Sequence, residues 1–316
     1  MSTTEFAQVG AERAAAPPLR FGGWPTVRRC ALALYVLALV LWSARYGVPV
    51  QRELVVLWVC GALVCISLGR HPRQILQIVL DWAPIVAVLA AYDLTRGAAD
   101  SLGIGVHFHP MIDFDRFVFF GETPTEWLQS HLHEPGVVAW WDVAFTAVYT
   151  SYFIVPFALA GWLWARDHPA FVRFTKRLVT LALAGLATYI LFPAAPPWMA
   201  GELGYLNEIH RTTGSGWEVL SVGTAGLFSE GQASANLVAA VPSLHLAFTA
   251  LVAMFLWSRV RPAWRVLLVL YPAAMGLTLM ATGEHYFFDI VLGAIYAGAV
   301  MAAWGWWESR SKAKSA

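Results

Sequence analysis

The chain has 316 residues, 58% of them hydrophobic and 13% charged, with sixteen Trp and a formal net charge of +1. Soluble domains average roughly 45–50% apolar and about 25% charged residues. The composition therefore excludes an ordinary soluble domain, and the near-neutral charge without a Lys/Arg run gives no expectation of a nucleic-acid partner.

Residues 1–27 are Ala-rich and polar and hold three prolines, which reads as a disordered cytoplasmic tail. A signal peptide is the alternative, because the first apolar run, 31–44, is short and ends in small residues; the long leader before it favours a retained helix. A spanning helix needs about 20 mostly apolar residues, and about 17 can suffice. Eight segments qualify, roughly 29–45, 53–69, 74–92, 139–165, 176–194, 239–258, 263–281 and 285–307. The expected fold is thus an all-α integral membrane protein of about eight transmembrane helices. Trp140, Trp141, Trp162, Trp164, Trp257 and Trp304 stand near segment ends, at the headgroup level that Trp favours. Two connections are long, 93–138 and 195–238; the first holds "FDRFVFFGETPTEWLQSHL", which suits a short interfacial helix. Cys30, Cys60 and Cys65 fall in or beside apolar segments and read as packing residues.

Charge orients the bundle. With a cytoplasmic amino terminus, sixteen Lys/Arg fall inside, against Arg45, Arg52, Arg96, Arg116 and Arg211 outside. That asymmetry predicts a multi-pass cell-membrane protein with both termini cytoplasmic and both long connections on the other side.

The eighth segment opens with "GEHYFFDIVLGA", where Glu284, His285 and Asp289 occupy a costly place for ionisable groups. His285 and Asp289 are four apart and share one helix face. An Asp that accepts from one ring nitrogen leaves the other unprotonated and aimed, as a nucleophile or general base requires. A structural His–Asp pair is the alternative. Glu284 is expected about 100° round the helix from His285 and to matter little. The sixth segment opens with "AAVPSLHLAF". Pro242 suits a first turn, which puts Ser243 and His245 at a helix amino terminus, where free N–H groups favour an anion. The topology brings His245 and His285 to the same membrane face. Two such imidazoles can divide the work: one attacks phosphorus and the other protonates the leaving alkoxide.

Pro-Ser-x-His, one intervening helix and then His-x-x-x-Asp resemble the type 2 phosphatidic acid phosphatase superfamily, over roughly 176–307. The resemblance implies a six-helix core within a transmembrane catalytic domain at 28–309, followed by a cytoplasmic tail at 310–316. It implies that His285 is the nucleophile that forms a phosphohistidine, Asp289 its orienting carboxylate, His245 the acid, and Ser243 a phosphate contact. It calls for no cofactor or metal. Departures are informative. Leu244 replaces the glycine of PSGH, Leu279 stands where SRxxxxxHxxxD has its arginine, and KxxxxxxRP is absent. In the absence of those arginines, "PSLH" and "HYFFD" look more like the inositol phosphorylceramide synthase and sphingomyelin synthase branch, which moves a phospho-headgroup between lipids. The upstream "YDLTRGAAD" is similar to bacterial members of that branch.

A phosphoryl-transfer site still needs positive charge. Arg96 is the first candidate, with an interfacial anchor or a pair with Asp93 or Asp100 as its equal alternative, and Arg211 the second. Trp198 and Tyr286 are candidates for the acyl-chain or headgroup path, and Tyr149 and Ser151 for the site, against simple packing. His107 and His109 form an HxH with no further ligand at zinc spacing. His131 and His133 read as solvated, and Asp81, one turn before Pro84, as paired within the bundle or filling freed backbone groups, with a role in the site as the alternative. The expected partners are a membrane phospholipid and a hydroxyl acceptor, and water in place of the acceptor gives a phosphatase. A proton-coupled transporter using His245, His285, Asp289 and Asp81 is a further alternative, weakened because these groups gather at one face and no repeat pair exists.

Overall fold

A computed structural model describes residues 25–46, 52–94, 104–219 and 236–315. Residues 1–24 of the tail expected over 1–27, Arg96 and "YDLTRGAAD" beyond Leu94 lie outside the described residues, whereas 25–27 are not tail but the start of the first helix. Among the described residues every extended regular element is a helix, and there is no β-strand. They form α1 (Pro25–Tyr46), α2 (Arg52–Ser67), α3 (Pro72–Leu94), α4 (His109–Val118), α5 (Pro124–Leu132), α6 (Trp140–Ser151), α7 (Val155–Arg166), α8 (His168–Leu191), α9 (Pro197–Glu202), α10 (Ser215–Val219), α11 (Leu244–Leu256), α12 (Arg265–Ala281) and α13 (Phe287–Ser315).

Each of the eight apolar segments forms helix, but not eight full spans. Five are long and apolar enough to cross a membrane, and α6 with α7 makes a sixth if the pair is one span bent by 43°. The bend follows from Pro156 in the first turn of α7. Proline lacks the N–H a continuous helix would use, and its ring clashes with the carbonyl four residues back. The segment expected at 239–258 yields only the 13 residues of α11, because Ser243 caps it and leaves 239–242 outside. Thirteen residues reach about 20 Å, short of the roughly 30 Å of a hydrocarbon core.

The inner bundle is α6, α7, α8, α11, α12 and α13, with α11 packed against α8, α12 and α13. α11 is apolar around its whole circumference, and Leu246 to Ala253 are all buried, as befits a central helix. α1 packs on α2, α2 on α3, and α3 on α8, so these three lie at the periphery. Their outward Leu34, Leu41, Leu57 and Leu76 are exposed, where lipid would meet them.

Three loops are stitched together at one end of the bundle. His107 N–H donates to the Pro193 carbonyl and Ala195 N–H to that of His107, while Ala194 N–H donates to the Val238 carbonyl. This places the "FPAAPPW" loop between the approach to α4 and the approach to α11. At the other end, Asp81 accepts from Trp164 Nε1 at 2.9 Å and lies 2.8 Å from His168 Nε2. Asp81 thus has its expected partners within the bundle. His168 begins α8, whose 24 residues span about 36 Å, so Asp81 is remote from the loops that end α8.

Candidate functional site

α13 starts at Phe287, so His285 lies two residues ahead of the helix rather than on it. Two features set that start. Gly283 turns the chain out of α12 with φ +75°, and a Cβ there would meet the His210 carbonyl at 2.8 Å; glycine alone is easy in that region. Carboxylates then take the first N–H groups of α13. Asp289 Oδ2 accepts from Tyr286 N–H at 3.0 Å. Asp115, on α4, accepts from Phe287 N–H and Phe288 N–H, both at 2.9 Å. These donors have no partner within the helix, and a negative charge suits the amino end of its dipole. Burial pushes the Asp115 carboxyl up to about 7, against the pull of its two N–H bonds.

The expected His–Asp pair forms all the same. His285 Nδ1 is 3.2 Å from Asp289 Oδ2, and both side chains are buried. With Nδ1–H donating to Asp289, Nε2 carries the lone pair. His285 is also steadied through its backbone, whose carbonyl accepts from Thr125 Oγ1 at 3.4 Å. Gln129 on α5 donates to the His210 and Ala281 carbonyls and accepts from His210 N–H. The short helices α4 and α5 therefore clamp the loop that carries His285.

His245 is the second residue of α11, and its ring centroid is 5.6 Å from that of His285. Two backbone contacts hold the pair together. Ser243 N–H donates to the Asp289 carbonyl at 3.1 Å. Gly293 lets α13 touch the Ser243 turn, since a Cβ there would lie 2.5 Å from the Ser243 carbonyl oxygen. Tyr149 and Tyr152 pack on the His245 ring at 4.8 and 4.2 Å. Both come from the end of α6, where the proline break ends the helix. Leu244, in place of the expected glycine, projects onto Gly185 of α8, where a Cβ would lie 2.7 Å from its Cδ2.

A cleft of about 90 Å³ opens onto both imidazoles and is lined further by Tyr149, Tyr152, Tyr189, Trp198, Arg211, Asn236 and Glu284. Arg211 comes from the long second connection. Its guanidinium lies 5.1 Å from the Trp198 ring and donates Nε–H and Nη2–H to Glu284 at 2.8 and 3.1 Å. Thr213 Oγ1 donates to the same carboxylate at 2.8 Å. Glu284 is therefore a buried wall of the site, which corrects the expectation that it points away. The helical offset assumed for it does not apply ahead of α13.

Other expected residues fall elsewhere. Ser243 is fully buried and accepts from Leu246 N–H as the α11 cap, so it does not line the cleft. Pro242 precedes that cap and stands outside the first turn. Tyr286 is buried beneath the site, among Met111, Ile112 and Ala200, and burial pushes its hydroxyl pKa up. Ser151 pairs with Tyr271 at 2.9 Å. His107 stacks on Phe192, and His131 on Trp127. His133 packs on His210; burial, then that neighbour, lowers its pKa. Among the described residues no three His, Cys, Asp or Glu side chains gather to hold a metal. Asp115, Gln129 and Thr213 were not anticipated. The capping box of α5, Thr123 with Glu126, was the readable sign that this stretch is ordered.

Comparison with known proteins points the same way. The family profile described as the PAP2 superfamily matches residues 109–303, more than half of the chain. A phosphoinositol dihydroceramide synthase of Bacteroides thetaiotaomicron is 31% identical over 133 residues, covering 40% of this chain and 43% of that protein. An inositol phosphorylceramide synthase of Candida albicans is 26% identical over 160 residues, 46% of this chain and 31% of that one. Each match thus spans less than half of the relative's length. No solved structure matches.

Proposed function

The chain belongs to the PAP2 superfamily, and on that premise we propose that it is a membrane lipid phosphotransferase working through a phosphohistidine. The observation that carries the reading is the pair of adjacent imidazoles, one held by Asp289, on the wall of a cleft that also receives the Arg211 guanidinium. His285 Nε2 attacks the phosphorus of a lipid phosphodiester; an N–P bond forms and the bond from phosphorus to the lipid oxygen breaks. Protonated His245 gives its proton to the departing alkoxide. Asp289 keeps Nδ1–H in place and balances the charge on the ring. An acceptor hydroxyl then attacks phosphorus, loses its proton to His245, and frees His285. Arg211, with the N–H groups about the cleft, steadies the oxygens on phosphorus.

The names of the two relatives suggest which molecules to try: an inositol-phosphate headgroup donor and a ceramide-like hydroxyl acceptor. Ser243 acts by capping α11 and aiming His245, and not by touching phosphate. The transporter alternative loses support from the distance of Asp81, which pairs with His168 at the far end of α8.

The test is turnover by purified protein in detergent. Phosphatidylinositol with ceramide should release diacylglycerol and form the new phosphodiester, and His285→Ala should do neither. If phosphatidic acid is hydrolysed quickly while every diester is left intact, the protein is a phosphatase and the transferase reading is wrong.

The positive-inside asymmetry supports an extracytoplasmic site. A cysteine at Ser215 should react with an impermeant maleimide in intact cells. Labelling only after permeabilisation overturns that orientation.

A further inference from the structure

Among the described residues that line the cleft, Arg211 and Glu284 are the formally charged side chains, and they are paired to each other. Glu284 occupies the Nε–Nη2 edge of the guanidinium, an edge with the geometry to chelate two oxygens of one phosphate. Its carboxylate is nearly buried, is held additionally by Thr213, and adjoins His285 in the chain. The described lining thus offers a positive group whose charge is already balanced at the wall.

We propose that Glu284 is the specificity-determining residue of this site, admitting phosphodiester monoanions and turning away phosphomonoester dianions. The proposal rests on the phosphotransferase reading and deepens it by naming the charge class of the donor. A bare guanidinium rewards the second negative charge of a monoester. A fixed carboxylate beside it repels that second charge as much as the arginine attracts it, so the gain disappears. Both effects are strong because the pair is largely withdrawn from water. A diester, with one charge and one free oxygen fewer to chelate, loses least. The pairing therefore adds a built feature to what the sequence showed only as missing arginines.

The experiment compares kcat/KM for phosphatidylinositol and for phosphatidic acid in the wild type and in Glu284→Gln. Glutamine keeps the shape and removes the charge. Above the second phosphate ionisation, near pH 6, the variant should raise the phosphatidic acid to phosphatidylinositol ratio by about tenfold or more. Thr213→Val removes a hydrogen bond without altering charge, and its ratio should stay at the wild-type value even where turnover falls. A second measurement needs no variant. Dimethyl phosphate, a monoanion, and methyl phosphate, a dianion, are compared as inhibitors of the wild type at pH about 8. The dianion should gain no advantage. A folded Glu284→Gln with an unchanged ratio, or a wild type that holds methyl phosphate tenfold tighter than dimethyl phosphate, overturns the proposal while leaving the phosphotransferase reading intact. A wild type that turns over no diester sinks that reading, and the proposal with it.

Discussion

Two bidentate arginine–glutamate pairs stand at opposite ends of this bundle. Arg177 donates through both terminal nitrogens to Glu308 at 2.8 Å each, joining α8 to the last helix. Arg211 donates to Glu284 at 2.8 and 3.1 Å, joining the second long connection to the loop before that helix. The exposures are reversed. In the first pair the arginine side chain is 6% exposed and the glutamate 31%. In the second the arginine is 22% exposed and the glutamate 7%. Where the cation is buried, the pair ties helices together and presents only an acid outwards. Where the acid is buried, the cation faces an opening that two imidazoles share. One chemistry serves packing in one place and a site in the other, and the partner left accessible tells them apart.

The sharpest way to break this contrast is to remove the proposed nucleophile. His285→Ala should abolish turnover and the acid-labile, base-stable phosphoryl label on the protein. His245→Ala should keep the label with an aryl diester, whose leaving group scarcely needs a proton, and should slow an alkyl diester by about 10²–10⁴-fold. If His245→Ala loses both esters equally while His285→Ala stays active, the two roles are assigned the wrong way round.

Next in size is the contact that brings the two imidazoles together. Gly293→Ala would put a carbon 2.5 Å from the Ser243 carbonyl oxygen, a backbone atom that cannot swing aside. The last helix and the turn before His245 must separate. Stability should fall by about 1–3 kcal/mol, and activity should fall further than stability explains. Gly298→Ala is the control on the same helix. A Cβ there meets nothing within 4 Å, and alanine favours helix by about 1 kcal/mol over glycine. Thermal unfolding of both variants in detergent, beside turnover per folded molecule, tests the pair. Equal effects at 293 and 298 would show that the close approach does not matter.

The Arg177–Glu308 pair should behave differently from the Arg211–Glu284 pair. Arg177→Met should lower stability by about 1 kcal/mol, since Glu308 loses both bonds but is partly exposed and keeps Arg173 and Lys176 nearby. Turnover per folded molecule should not change. A loss of kcat without a loss of stability would mean that the Arg177–Glu308 pair communicates with the site.

Much of this contrast was legible in the sequence, and the reasons for the rest are physical. His245, His285 and Asp289 could be found because their spacing is local and the apolar segments fixed which ends face the same way. Arg211 was visible only as a charge on the right side. Glu284 was misread because the offset of one residue in a helix was applied to a loop. What ends the helix there is Asp115, 172 residues away in sequence from the first N–H it accepts, and no local pattern announces such a partner. Gln129 and Thr213 were hidden for the same reason, as they bond backbone or side chains far along the chain. The described residues do not give eight full spans, because hydropathy sees apolar length. It sees neither the cap at Ser243 nor the break at Pro156.

The last effect concerns that distant carboxylate. Asp115 holds the first two N–H groups of the last helix, and burial raises its pKa to about 7 from the ordinary value near 3.8. The sign follows from proton binding. Between about pH 4 and pH 7 the folded protein holds a proton at Asp115 that the unfolded chain has released. The native state is thus favoured at the acid end of that window and loses this advantage as pH rises through it, by up to one proton's worth of slope. Above about pH 7 both states are ionised and the slope from this group vanishes. Asp115→Asn cannot titrate, so its stability should lose that slope. Asparagine also has one acceptor oxygen where aspartate has two, so one N–H beside His285 loses its partner. That loss should cost about 1–3 kcal/mol and lower kcat more than it raises KM, because the nucleophile is loosened while the cleft wall is kept. Unfolding in detergent across pH 4 to 8 for both proteins reads the first effect, and steady-state turnover reads the second. An unchanged slope in the variant would place the titrating group elsewhere. An unchanged kcat would show that the cap on the last helix does not aim His285.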